Sequence, residues 1–502
     1  MQPSFNLIDQ PWIPVIRQDG SAAELGLREL LLEARTIREI GGESPLVIAS
    51  LYRLLLALLH RIHNGPADSR AWHRLWQAGW DAAAIVDYLE RWHDRFDLFH
   101  PERPFYQMAD PRMEPRSVTA MIHEAASGNN ATLFDHHVDD LPISLTPAEA
   151  ARRLLAVVNY GLSGPCNPQM KLYFTGGPCV DGILFLALGD TLHETLTLNL
   201  LPYPDEQIMA HQGEDRPIWE ADDPLLPARD TPLGYLDYLT WLNRRVLLLP
   251  RVEGGQVVVQ QMTMSPALVL NDSVLDPMMH YFRDEKRGPR PLSFSEARSL
   301  WRDSAALFRL HSSEHRPPQV LGWLARLDLS GYLERHRSYR LQALGLLNDK
   351  AKMVFFRHER LPLPTDYLRQ QELVEDLATA LAMAEGTASQ LWGATATLAR
   401  ELVAPAEDQE AHRDDWRPLL ESWGVGRIYW AQLETPFRLT METLPSDRVA
   451  ALGEWRQRLL NAAWSAFNHV ADSLDNTPRS LRAWVQAQGQ LAAGLAKTLP
   501  AM

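Results

Sequence analysis

The sequence predicts an α+β protein: a large mixed N-terminal domain with short strands and many loops, followed by an all-α C-terminal four-helix bundle. Three observations predict it. Residues 1–360 alternate short apolar runs with proline and glycine breaks. The texture changes at LPLPTD, residues 361–366, and from there apolar residues recur at helical spacing to the end of the chain. We place the boundary near residue 362, giving domains 1–362 and 363–502; a chain of 502 residues is too long for one core.

Residues 1–25 read as short strands turning at Asp19-Gly20, residues 26–62 as mainly helix, and a further helical stretch runs to about residue 95. FHPERPFYQMADPRMEP is a proline-rich loop, and 116–146 is mixed and polar. Thr146-x-x-Glu149 matches a capping box ahead of Ala151, Leu154, Leu155 and Val158, a helix that runs out into the breaker cluster GLSGPCNP. Between 170 and 290, GILFLAL fits a buried strand, and RVEGGQVVVQQMTM fits a hairpin turning at Gly254-Gly255. Residues 294–312 and 318–345 read as helix. The C-terminal domain opens with a long helix whose apolar face is Leu373, Leu377, Leu381, Ala384, Ala388, Leu391, Leu398 and Leu402. Three further helical segments follow, 412–440 with a break at Gly424-Val-Gly426, then 446–474 and 478–498.

Composition is that of a soluble globular protein, 46% apolar and 22% charged. Two cysteines, Cys166 and Cys179, are too few for a disulfide framework or a four-thiolate zinc site, and the reducing cytoplasm is the compartment expected. The N-terminus lacks the basic and apolar regions of a signal peptide. PLVIASLYRLLLALLHRIHNG is interrupted by Arg53, His60 and Arg61, so it reads as a buried amphipathic helix and no membrane is implied. A formal net charge of -14 argues against indiscriminate nucleic-acid binding. The charge is polarised, however. Seven Arg/Lys stand between Arg335 and Arg360 against Asp349 and Glu359, whereas eight acids stand between Asp205 and Asp230 against Arg216 and Arg229.

Four motifs carry candidate chemistry. LFDHHVDD, residues 133–140, offers aspartates and histidines for a metal, centred on Asp135, His136 and Asp139, as in a metal-dependent phosphoesterase. Such a site needs further ligand clusters after apolar runs, which the sequence lacks, and a solvated loop is the plainer reading. Cys166 and Cys179 flank a glycine-rich loop; His193 or His211 could partner a catalytic thiol, but both cysteines read as small buried residues. GLSG, 161–164, reads either as a helix cap using a left-handed glycine or as bare backbone that another polymer can approach. GLLNDKAKMVFF, 345–356, places Lys350 and Lys352 on a turn. In a chain with five lysines among 49 Arg plus Lys, such a pair is a candidate phosphate contact.

Five stretches in register, NLIDQPWIPV (6–15), FHPERPFYQ (99–107), NATLFDHHVDD (130–140), RPIWEADDP (216–224) and YWAQLETPF (429–437), resemble the CasA family, the large subunit of the type I-E CRISPR surveillance complex Cascade. The resemblance spans nearly the whole chain. It implies a subunit without catalytic activity or cofactor. Its partners would be the other Cascade subunits and guide crRNA, double-stranded target DNA carrying a protospacer-adjacent motif, and the Cas helicase–nuclease that docks on it. Carried over residue by residue, Leu133, Phe134, Asp135, His136 and His137 form the loop at the guide-RNA handle and neighbouring subunits. Gly161 and Gly164 form the glycine loop at the motif, here interrupted by Ser163. Asn348, Asp349, Lys350 and Lys352 form the wedge that starts strand separation. The family's motif-contacting lysine in the 260–270 region has no counterpart, since no lysine stands between 172 and 285. That contact is either missing or moved, with Lys350 and Lys352 as the candidates.

Overall fold

The computed structural model describes residues 3–124, 143–202, 215–284, 286, 288–334, 337–349, 352–404 and 412–500. The chain forms two compact units. One gathers most of residues 1–360 and the other Leu361–Met502, together with the short stretch Leu300–Arg309.

The first unit begins with a three-stranded sheet in which Ile13–Arg17 lies between Ala22–Leu25 and Ile37–Ile40. Gly20, at φ 87°, closes the first turn, and Asp19 steadies it by accepting the Ser21 backbone N–H at 2.9 Å. Ser44 caps the next helix, Pro45–His63, with proline at its first position. This is the described helix long and apolar enough to cross a membrane, yet it is buried without interruption from Ala49 to His60. It is a core helix, as the interruptions by Arg53, His60 and Arg61 lead one to expect. Its one buried cation, Arg53, donates to Asp276 at 2.8 Å and to the Tyr238 carbonyl at 3.1 Å, and the Tyr238 hydroxyl completes the network on Asp276 at 2.7 Å. The helical stretch expected up to residue 95 consists of Ser69–Ala78 and Ala82–Arg91, each capped by an aspartate.

Two further pieces position the site. The Pro147–Tyr160 helix carries the expected capping box, Thr146 and Glu149 each satisfying the other's backbone N–H, and packs on the Pro45–His63 helix. Gly254 and Gly255, at φ 59° and 84°, join Arg244–Glu253 to Gln256–Pro266 in the expected hairpin.

The fully buried strand Leu184–Leu188 pairs antiparallel with Ser338–Asp349, Leu344 opposite Leu184 and Arg340 opposite Leu188. Lys352–Pro364 lies on the other side of Ser338–Asp349 in the same sheet. This corrects the expectation of helix across 318–345. Helix covers only Gln319–Leu329 and ends where Gly331 adopts φ 72°. Leucine and alanine in LQALGLL favour helix locally, but backbone pairing with a buried strand overrides so weak a preference. Likewise, within 294–312 helix is confined to the short segments Leu300–Asp303 and Ser304–Leu307.

The second unit is helical. Gln371–Val403 is its long helix, with Leu373, Leu377, Leu381, Ala384, Leu391 and Leu398 buried as the spacing predicts; Ala388 and Leu402 are half-buried. The segment expected at 412–440 is three helices, Arg413–Trp423, Val425–Ala431 and Glu434–Thr443, and Gly424 at φ 58° makes the first break. Arg448–Asn468 and Pro478–Thr498 complete the unit and pack on the long helix. Trp301, Phe437 and Trp455 cluster in its core, and the Trp455 indole donates to the Ala380 carbonyl at 2.8 Å.

Arg53 and Asp276 are each 1% exposed, so removing one partner strands a charge. Arg53→Met should therefore cost about 3–5 kcal/mol in urea unfolding of the full chain, and adding Asp276→Asn should recover part of it.

Candidate nucleic-acid interface

The glycine loop starts where the Pro147–Tyr160 helix stops. Gly161 does not use the left-handed cap conformation: its φ is -59°. What requires glycine is crowding, because a Cβ there would lie 2.4 Å from the Arg244 guanidinium carbon and 2.5 Å from the Val157 carbonyl oxygen. Gly164 is the opposite case. Its φ is +151°, and a Cβ there would meet nothing within 4 Å, so bare backbone faces open space.

Arg244 braces this loop. Its side chain is buried; it donates to the Leu162 carbonyl at 2.5 Å and to the Thr175 carbonyl at 3.1 Å, and lies over the Phe174 ring at 4.6 Å. Burial, reinforced by Arg116, pushes its pKa down to about 9. Sequence reading misses Arg244 altogether. It opens a strand beside another arginine, and nothing local indicates that its partners are two loop carbonyls.

The segment 175–180 links the glycine loop to the long hairpin made by Ser338–Asp349 and Lys352–Pro364. The Gly177 N–H donates to Gly161 O at 2.8 Å, and the Val180 N–H to Gly177 O at 3.2 Å. The Asn348 amide then donates to Val180 O at 3.4 Å. Gly161 and Asn348, from two elements named separately from sequence, thus share one connector. Asn348 is partly buried and committed to that connector, whereas Asp349 and Lys352 are exposed. Gly345 lets the hairpin lie against Gly182, whose carbonyl oxygen would sit 3.0 Å from a Cβ.

The basic run 335–360 divides by role. Arg340 donates to the Gly189 carbonyl at 3.1 Å, Arg357 pairs with Glu359 at 3.2 Å and covers the Phe355 ring, and Arg360 pairs with Glu39. These hold the stem. Lys352, nearest the tip, has no ion-pair partner among the described residues. Lys350, together with Leu133, Phe134, Asp135, His136 and His137, lies outside the described residues, as do Asp139 and His211.

Residues 6–466 match the family model of CRISPR-associated protein Cse1. The chain is 34% identical over 508 residues to CRISPR-associated protein CasA/Cse1 of Thermus thermophilus, covering 96% of both chains. A crystal structure of Thermus thermophilus CasA superposes with a TM-score of 0.84 at 32% identity, covering 99% of this chain and 100% of that one. The fold also recurs, at 24% identity and a TM-score of 0.77, in a chain of a CRISPR RNA-guided surveillance complex, covering 98% of this chain and 100% of that one. The protein belongs to the Cse1 family.

In this Cse1-family chain Cys179 lacks the setting of a nucleophile. Burial pushes the Cys179 thiol up to about 12, and it contacts the Asn159 side-chain oxygen at 3.8 Å. Cys166 is also raised by burial and points at the Met264 carbonyl. Burial lowers His193 to about 4; its ring lies against Trp80, 4.7 Å between centroids. Among the described residues no group of three or more His, Cys, Asp or Glu is placed to hold a metal ion.

Arg244→Ala should release the loop. Amides of 161–164 and 175–177 should then exchange hydrogen for deuterium faster in the free protein, while those of the Pro45–His63 helix keep their protection.

Proposed function

We propose that this protein is the large subunit of a type I-E CRISPR Cascade complex, that it recognises a protospacer-adjacent motif in duplex DNA, and that it begins strand separation. Its family membership and the surveillance-complex chain that shares its fold support the first part. The observation that carries the second is the shared connector: the glycine loop, with its open, side-chain-free backbone at Gly164, and Asn348 of the strand Ser338–Asp349 are both hydrogen-bonded to the segment 175–180.

The physics of that arrangement fits duplex opening. The minor groove offers mainly A·T-versus-G·C information, so a reader made of glycine backbone and few side chains accepts several related motifs. Driving a turn between base pairs costs a few kcal/mol per unstacked step. Lys350 and Lys352 offset part of that cost at the phosphates, and pairing with guide RNA replaces the lost DNA pairing. The anionic remainder of the surface limits idle DNA binding. On this reading the protein works in the cytoplasm without catalytic activity or cofactor of its own. The 133–137 loop contacts the guide-RNA handle and neighbouring subunits, and the chain offers the docking surface for the Cas helicase–nuclease.

Lys350→Ala combined with Lys352→Ala should weaken binding of the reconstituted complex to motif-bearing duplex and lower the slope of log affinity against log salt by up to about two, with assembly intact. Unchanged duplex affinity contradicts the wedge assignment. In a pull-down, Phe134→Ala should reduce the amount of this subunit retained by the guide-loaded remainder of the complex; full retention contradicts the handle-loop role.

A further inference from the structure

A second, smaller hairpin grows directly out of the glycine loop. Gly164–Asn167 pairs antiparallel with Leu172–Phe174, Gly164 opposite Phe174 and Pro165 opposite Tyr173. Its tip is a tight turn: the Asn167 side-chain oxygen accepts the Met170 N–H at 3.1 Å, and the Lys171 N–H donates to Pro168 O at 3.1 Å. Lys171 then takes φ +56°, the left-handed position that closes such turns and that normally falls to glycine or asparagine.

A lysine therefore stands where its own backbone disfavours it. It is also the sole lysine in the first 285 residues of an arginine-preferring chain. Its side chain is exposed, and no described residue pairs with its ammonium group. Beside it stand exposed Met170 and Tyr173, the latter 61% exposed. Around Cys166, in the first strand of this hairpin, stand the guanidinium groups of Arg116, Arg244 and Arg112 and the carboxylate of Asp110. Arg112 is engaged by Asp110 through two hydrogen bonds, at 2.9 and 2.7 Å, whereas Lys171 is exposed and has no ion-pair partner among the described residues. The base of the hairpin is fixed, because Phe174 lies under Arg244 and the Leu172–Phe174 strand packs on Gln256–Pro266.

From this we infer that the Gly164–Phe174 hairpin is a DNA-contacting element in its own right, with Lys171 binding a backbone phosphate of the duplex next to the groove that the glycine loop faces. A strained backbone position at a solvent-exposed tip is a common mark of a functional constraint. A slender ammonium group on a rigid turn suits a phosphate, whereas it carries no base pattern. Lys171 thus sets where the duplex sits, and the glycine backbone beside it meets the groove edge. The inference rests on the DNA-binding reading given above.

The test uses the guide-loaded complex containing the full chain, with binding to a motif-bearing target duplex measured at several salt concentrations for the parent, Lys171→Gly and Lys352→Ala. Glycine relieves the left-handed strain, so Lys171→Gly should assemble normally and unfold at the same or a higher temperature. Its duplex affinity should nevertheless fall on the order of three- to tenfold, with the salt slope reduced by about one and the ranking of motifs unchanged. If Lys352→Ala weakens binding while Lys171→Gly leaves affinity and slope untouched, the hairpin is only a solvated turn and this inference fails while the DNA-binding reading stands. If neither substitution alters duplex binding, both fail.

Discussion

A buried guanidinium holding two loop carbonyls is the constraint on which the candidate interface depends. Arg244 donates to Leu162 and Thr175 on either side of the small hairpin, and its carbon occupies the space a side chain on Gly161 would need. No carboxylate stands among its hydrogen-bond partners within the described residues, and burial lowers its pKa to about 9. Burying a cation is unfavourable unless its donors are satisfied. The carbonyls are thus fixed by the same interaction that makes the charge tolerable, and the outward-facing Gly164 inherits that order. A preorganised loop loses little freedom on binding, which matters for a reader with few side chains.

The same logic extends outward. Gly177 ties the loop to the 175–180 connector, and Asn348 ties the long hairpin to the same connector. Behind the hairpin lies the buried strand Leu184–Leu188, whose Phe185 N–H donates to Met278 O at 2.9 Å, two residues from Asp276 of the Arg53 network. The glycine loop and the long hairpin are thus tied to the core by hydrogen bonds that lead to a buried ion pair. A hairpin that pushes against stacked bases needs such a root, since a flexible one would bend before base pairs part.

Local signals are legible in the sequence, and long-range ones are not. The Thr146–Glu149 capping box, the Gly254-Gly255 turn, the GILFLAL strand and the apolar stripe of Gln371–Val403 each depend on neighbours a few residues away, and each forms as read. The strand Ser338–Asp349 reads as helix because its partner, Leu184–Leu188, is remote in sequence and leucine and alanine carry little strand preference. Arg244 is invisible for the same reason. Gly161 reads as a left-handed cap or a bare approach surface; its real constraint is a side chain arriving from another strand. Charge counting along 335–360 overstates the free positive charge, because Arg340, Arg357 and Arg360 are engaged in holding the stem.

On the proposed reading, the glycine loop and the hairpin end address the same few base pairs. The most direct measurement places a photoactivatable cross-linking residue at Ser163 in one variant and at Asp349 in another, within the guide-loaded complex on target duplex, and maps the cross-linked nucleotides. Both positions should mark DNA immediately beside the target, within a few base pairs of each other. Cross-links at distant sites, or to guide RNA and protein alone, would contradict it.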